Sequence, residues 1–71
     1  MKVLIPDRFP VEGLEVFDQA EGLIVDYQPG LSPEQLLIAV ADADALVVRG
    51  GTLVNDAVFQ AAKKLRVVGR A

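Results

Sequence analysis

The sequence predicts an α/β fold: a four-stranded parallel sheet with strands in the order 2-1-3-4 and helices on both faces. Three observations lead there. Four short runs rich in Val, Ile and Leu, "KVLI" (2–5), "LIVDY" (23–27), "ALVV" (45–48) and "RVVG" (66–69), recur about every twenty residues. Runs with so little polar alternation fit strands buried on both faces. The segments between them carry helical period, and a βαβαβαβ alternation implies parallel pairing through right-handed crossovers. Two doubly wound orders hold four strands, 3-2-1-4 and 2-1-3-4. The turn after the first run, "PDRFPVEG", puts proline where a dinucleotide or P-loop fold needs free backbone N–H groups against phosphate, which favours 2-1-3-4, the flavodoxin-like order.

Each element has a local reason. In the first helical segment Val11, Leu14, Phe17 and Ala20 drift slowly around one apolar face, and Gly22 is placed to stop the helix. The second begins more sharply. Pro29-Gly30 marks a turn, Ser32 is a good N-cap, Pro33 takes the first helical position, and Gln35 completes a capping box; Leu36, Leu37 and Val40 form the stripe to be buried. The third takes Asn55 as cap and Asp56 in its first turn, offers Val58, Phe59 and Ala62 to the core, and places Lys63 and Lys64 near its negative C-terminal end.

Composition narrows the function classes. With 71 residues, the chain is one domain at most, in the range where a single core is marginal. Yet 52% of its residues are hydrophobic and its mean hydropathy is +0.37. So apolar a small chain predicts surface meant for a partner or for further chain. No run approaches the ~18 apolar residues of a membrane span, and the N-terminus lacks a signal-type apolar region, so a soluble, cytoplasmic chain without a membrane partner is expected. The absence of Cys and His excludes disulfides, thiolate and imidazole chemistry and most zinc sites. A net charge of −3 argues against a nucleic-acid partner.

The 2-1-3-4 order places the switch point between the first and third strands, and ligands in open α/β sheets bind beyond the carboxyl ends of strands there. The loops at that place are Pro6-Asp7-Arg8-Phe9 and Arg49-Gly50-Gly51-Thr52. Arg49 is a candidate clamp for carboxylate or phosphate, against the plainer reading of a strand-end arginine paired with an acid. Gly50 and Gly51 either expose N–H groups to an anion as a nest or supply positive φ to a loop. Thr52 either donates to a ligand or caps the loop. Arg70 either faces the same cleft or sits at a frayed end. Asp7 fits a phosphoryl-acceptor or metal carboxylate poorly, because Arg49 stands where a second acid would be needed. No nucleophile–base pair or metal cluster is visible, so no catalytic and no metal-binding residue is assigned. The reversal of direction also puts the first helix alone on one face, leaving part of that face and the fourth-strand edge bare.

From "VVRGGTLVNDAVFQAAKKLRVVGRA" the chain resembles the D-isomer-specific 2-hydroxyacid dehydrogenases, whose pattern here is a strand, Arg-Ser-x-Thr-x-Val, a helix, "KL" and a strand ending Val-x-Gly-Arg-Ala. Arg49, Thr52, Val54, Lys64, Leu65, Val68, Gly69, Arg70 and Ala71 fall in register, and "KVLIPDRFPVEGLEVF" and "VDYQPGLSPEQL" extend the resemblance over the whole chain. It implies that residues 1–71 are part of a substrate-binding domain, lacking the returning strand and helices, with the NAD-binding domain and catalytic residues absent. NAD is then the cofactor of the parent enzyme, and none is bound by this chain. An anionic 2-hydroxy acid, phosphoglycerate foremost, is the implied substrate, with Arg49, Gly50, Gly51, Thr52 and Arg70 as its contacts here. Gly50 stands where Ser is common and Leu53 where Lys is frequent, which removes a hydroxyl donor and a charge. Two other readings compete: a stand-alone α/β module that forms homo-oligomers through its bare edge and face, and a small-anion-binding domain built on Gly50-Gly51.

Overall fold

The structure is a computed structural model describing residues 1–71. Its elements are β1 (Lys2–Ile5), α1 (Val11–Gln19), β2 (Ile24–Tyr27), α2 (Pro33–Ala39) with a 3-10 turn over Val40–Asp42, β3 (Ala45–Val48), α3 (Asp56–Ala61) and β4 (Val67–Arg70). All pairings are parallel and the order is β2-β1-β3-β4. The expected fold class is therefore present, with β2 starting one residue later than its apolar run and β4 shifted one residue toward the C-terminus from its run.

Side-chain alternation along β1 sorts the core into two layers. Leu4 joins Leu46, Val48, Leu36, Val40, Val58 and Ala62 under α2 and α3, whereas Val3, Ile5 and Ala45 pack with Leu14, Phe17 and Val25 under α1. Helices therefore cover both faces as the crossovers require. The α1 layer is thinner. No residue of α1 is fully buried, and Val11 is 64% exposed because the helix touches the sheet only through Leu14 and Phe17. Phe9 closes that layer edge-on to Phe17 at 5.9 Å, and a Cβ at Gly13 would collide with its ring, so close passage explains a glycine inside a helix.

Caps act as expected. Ser32 Oγ accepts from the Gln35 N–H at 3.2 Å while Gln35 Oε1 accepts from the Ser32 N–H at 2.9 Å, and Asn55 Oδ1 accepts from the Val58 N–H at 3.2 Å. Gly22 and Gly30 take positive φ in the turns before β2 and α2, so Gly22 shapes the turn while α1 itself ends at Ala20 in extended backbone. Two expectations change. Phe59 lies 53% exposed, since short α3 turns Val58, Ala61 and then Ala62 inward, and Lys63 and Lys64 follow the helix end.

The β1–β3 junction is the centre of the sheet, yet its ladder pairs only Val3 with Ala45 and Leu4 with Leu46. Two aspartates extend it. At the amino end Asp44 accepts from the Lys2 N–H at 2.8 Å, and at the carboxyl end Asp7 accepts from the Arg49 N–H at 2.6 Å. Beyond β3, Val67 and Val68 of the edge strand are 55% and 43% exposed. No helix is long and apolar enough to cross a membrane.

Candidate functional site

At the carboxyl ends of β1 and β3 an open cleft of about 480 Å³ is lined by Pro6, Asp7, Arg8, the Gly30-Leu31 turn and Arg49 to Thr52. It lies at the topological switch point, where the strand order places a ligand site. A smaller apolar cavity of about 230 Å³ adjoins it, sharing Pro6, Leu31, Gly51 and Thr52 and continuing to Leu36, Leu53 and Val58.

Asp7 organises the cleft. Buried β1 ends at Ile5, and buried Pro6 turns the chain so that the Asp7 side chain lies under the loop following β3, only 8% exposed. Its Oδ2 accepts from the Arg49 N–H at 2.6 Å and the Thr52 N–H at 3.2 Å, and Oδ1 accepts from Thr52 Oγ1 at 2.5 Å. Burial pushes its carboxyl up, but the Thr52 hydroxyl and the N–H groups of Arg49, Thr52 and Gly51 outweigh it and hold the group below its ordinary range. Asp7 is therefore a firmly ionised carboxylate whose charge is absorbed by the loop.

That contact accounts for Gly51. A Cβ there would lie 2.9 Å from Asp7 Oδ1, and neither Gly50 nor Gly51 has positive φ. The glycine is required by close approach to a carboxylate. An anion nest, which alternates handedness along the backbone, is not formed, and the positive-φ reading fails with it. Gly50 is open on all sides, and its N–H has no partner within the chain.

Arg49 is held at three points. Its N–H meets Asp7, its carbonyl accepts from Arg70 Nη1 at 3.3 Å, and its own Nη1 donates to the Arg8 carbonyl at 3.3 Å. The guanidinium stays exposed on the cleft rim. The ion pairs of this chain all involve Lys2, with Asp26 and Asp42, so Arg8, Arg49 and Arg70 have no carboxylate partner, and the paired-arginine reading of Arg49 does not hold. Unpaired guanidiniums beside a spent carboxylate make a local positive field suited to an anion. Arg70 is brought to the site through the Arg49 backbone and lies outside the cleft lining.

Sequence reasoning placed Arg49 to Thr52 and the loop Pro6-Asp7-Arg8-Phe9 at the switch point, but missed Asp7 as the group that shapes the first loop and missed Gly30 and Leu31 as lining. The signal for Asp7 was a lone acid directly after a buried strand, beside a loop containing glycine and a hydroxyl residue.

Fold and site together define an α/β domain of the doubly wound class with an anion-favouring cleft at its switch point. Residues 3–71 match the family model described as D-isomer specific 2-hydroxyacid dehydrogenase, catalytic domain, and the chain belongs to that family. It is 38% identical over 71 residues to D-3-phosphoglycerate dehydrogenase of Methanocaldococcus jannaschii, covering 100% of this chain and 13% of that protein. The enzyme of the same name from Archaeoglobus fulgidus is 39% identical over 71 residues, with the same coverage. That from Sus scrofa is 44% identical over 70 residues, 99% of this chain and 13% of its own. The chain thus spans about 13% of the length of these relatives.

Proposed function

We propose that this chain is part of the substrate-binding domain of an NAD-dependent dehydrogenase acting on 3-phosphoglycerate, the first step of serine biosynthesis in the cytoplasm, and that it supplies one wall of the substrate cleft. The observation that carries the reading is the switch-point cleft with Arg8 and Arg49 unpaired on its rim, in a chain of net charge −3. A phosphorylated hydroxy acid is small, polar and strongly anionic, which suits an open cleft with guanidiniums at its mouth. The relatives named above carry the same activity in their names.

The residues present do not fit NAD. After β1 the chain offers Pro6, an ionised Asp7 and an uncapped Pro10 where a pyrophosphate would need free N–H groups and no negative charge. NAD binding is therefore assigned to other parts of the parent polypeptide, as is any imidazole-based proton transfer, since the chain holds no His. The test is oxidation of 3-phosphoglycerate with NAD, followed as NADH. Activity is expected from the full-length polypeptide and not from residues 1–71 alone. Turnover by the 71 residues alone, or none by the full-length polypeptide, would overturn the proposal.

A second reading rests on the exposed Val67 and Val68 of the β4 edge, an unpaired template for another strand. On that reading the chain forms homo-oligomers edge to edge. Sedimentation across a dilution series would show association, and a folded monomer at every concentration would exclude it.

A further inference from the structure

We propose that Asp7 is a positioning residue for anion binding, holding the loop from Arg49 to Thr52 so that the Arg49 guanidinium and the Gly50 N–H, and not the Thr52 hydroxyl, meet the substrate. This rests on the function proposed above and concerns how its site is built.

The loop brings the N–H groups of Arg49 to Thr52, the Thr52 hydroxyl and the Arg49 guanidinium to one place. Asp7 takes the Arg49 N–H, the Thr52 N–H and the single hydroxyl proton of Thr52, and the Gly51 N–H faces the same carboxylate. A hydroxyl has one proton to give, so with Thr52 Oγ1 donating inward it turns only lone pairs toward the cleft and cannot donate to a substrate oxygen. What remains facing outward is the Gly50 N–H, without a partner in the chain, and the exposed Arg49 guanidinium.

Tethering has a second effect. An arginine on a free loop pays ordering entropy when it binds, whereas here the Arg49 main chain is fixed before any ligand arrives by Asp7 on one side and Arg70 on the other. The close approach at Gly51 is the steric condition for that tether, since any side chain there would push the carboxylate away.

The test uses the full-length polypeptide carrying this chain, with steady-state kinetics and calorimetric titration of 3-phosphoglycerate. Asp7→Ala removes all three acceptor contacts, and KM for 3-phosphoglycerate is expected to rise about tenfold with kcat within about twofold and KM for NAD unchanged. Thr52→Val should raise KM in the same way and Thr52→Ser should restore it. The double variant should be no worse than Asp7→Ala, because Thr52 acts through Asp7. If Thr52→Val adds its full effect on top of Asp7→Ala, Thr52 touches the substrate itself and the proposal is wrong. Should Asp7→Ala fail to fold, Asp7→Asn fills the same space with a weaker, uncharged acceptor and carries the test at about threefold.

Kinetics and titration separate this proposal from the function it rests on. Turnover by the wild type with an unchanged KM in the Asp7 variants removes the positioning role and leaves the function. Binding of 3-phosphoglycerate without turnover, weakened in the Asp7 variants, removes the dehydrogenase reading and keeps the positioning role. Neither binding nor turnover by the wild type removes both.

Discussion

Adjacent glycines in one loop should respond oppositely to the same substitution. In Gly51→Ala the new Cβ would stand 2.9 Å from Asp7 Oδ1, whereas ordinary contact begins near 3.4 Å, so the carboxylate has to retreat by about half an ångström. Asp is short, and Asp7 is pinned through both oxygens, with its Oδ2 already at 2.6 Å from the Arg49 nitrogen. It cannot swing aside without loosening one bond. A hydrogen bond to a charged group contributes about 1.5–3 kcal/mol, and that is the expected loss of stability. Gly50→Ala meets nothing within 4 Å and needs no positive φ, so it should stabilise by about 0.4–1 kcal/mol through the unfolded chain. Urea unfolding of the two variants in parallel reads the difference, and repeating Gly51→Ala in an Asp7→Ala background should abolish its cost. Equal effects at the two glycines, or a Gly51→Ala cost that persists without the carboxylate, would refute the close-approach account.

Three further outcomes follow from the same structure. Leu46→Ala, at a fully buried position in the α2–α3 layer, should cost about 2–5 kcal/mol in urea unfolding. Ser32→Ala removes one half of the capping box and should cost about 0.5–2 kcal/mol, seen also as faster amide exchange in the first turn of α2. Acid should weaken the fold through Asp7. Its folded-state pKa lies below the ordinary value, so its contribution is complete above about pH 4 and is lost as pH falls through the folded pKa. Asp7→Asn should flatten the acid slope of stability below about pH 4.

Much of the fold was legible because the information is local. Period, caps and turn residues act within a few positions of one another, so Ser32 with Gln35 and Asn55 with Val58 could be read directly. Even the strand order followed from a local fact, the prolines after β1. Where reading failed, the missing quantity was depth. Phe59 and Val11 carry the right period for burial, but α3 is short and α1 touches the sheet through only Leu14 and Phe17, so apolar character alone could not place them inside.

The sequence by itself determined the βαβαβαβ alternation, the family resemblance and the place of "VVRGGT" at a switch point, since each depends on neighbours in the chain or on topology. Only the tertiary structure decided why the loop needs Gly51, where the Thr52 proton goes and which donors stay open. Those depend on Asp7, which lies 42 residues from Arg49 along the chain and 2.6 Å from its nitrogen in space. No local pattern encodes that distance, because it arises when β1 and β3 become neighbours in the sheet.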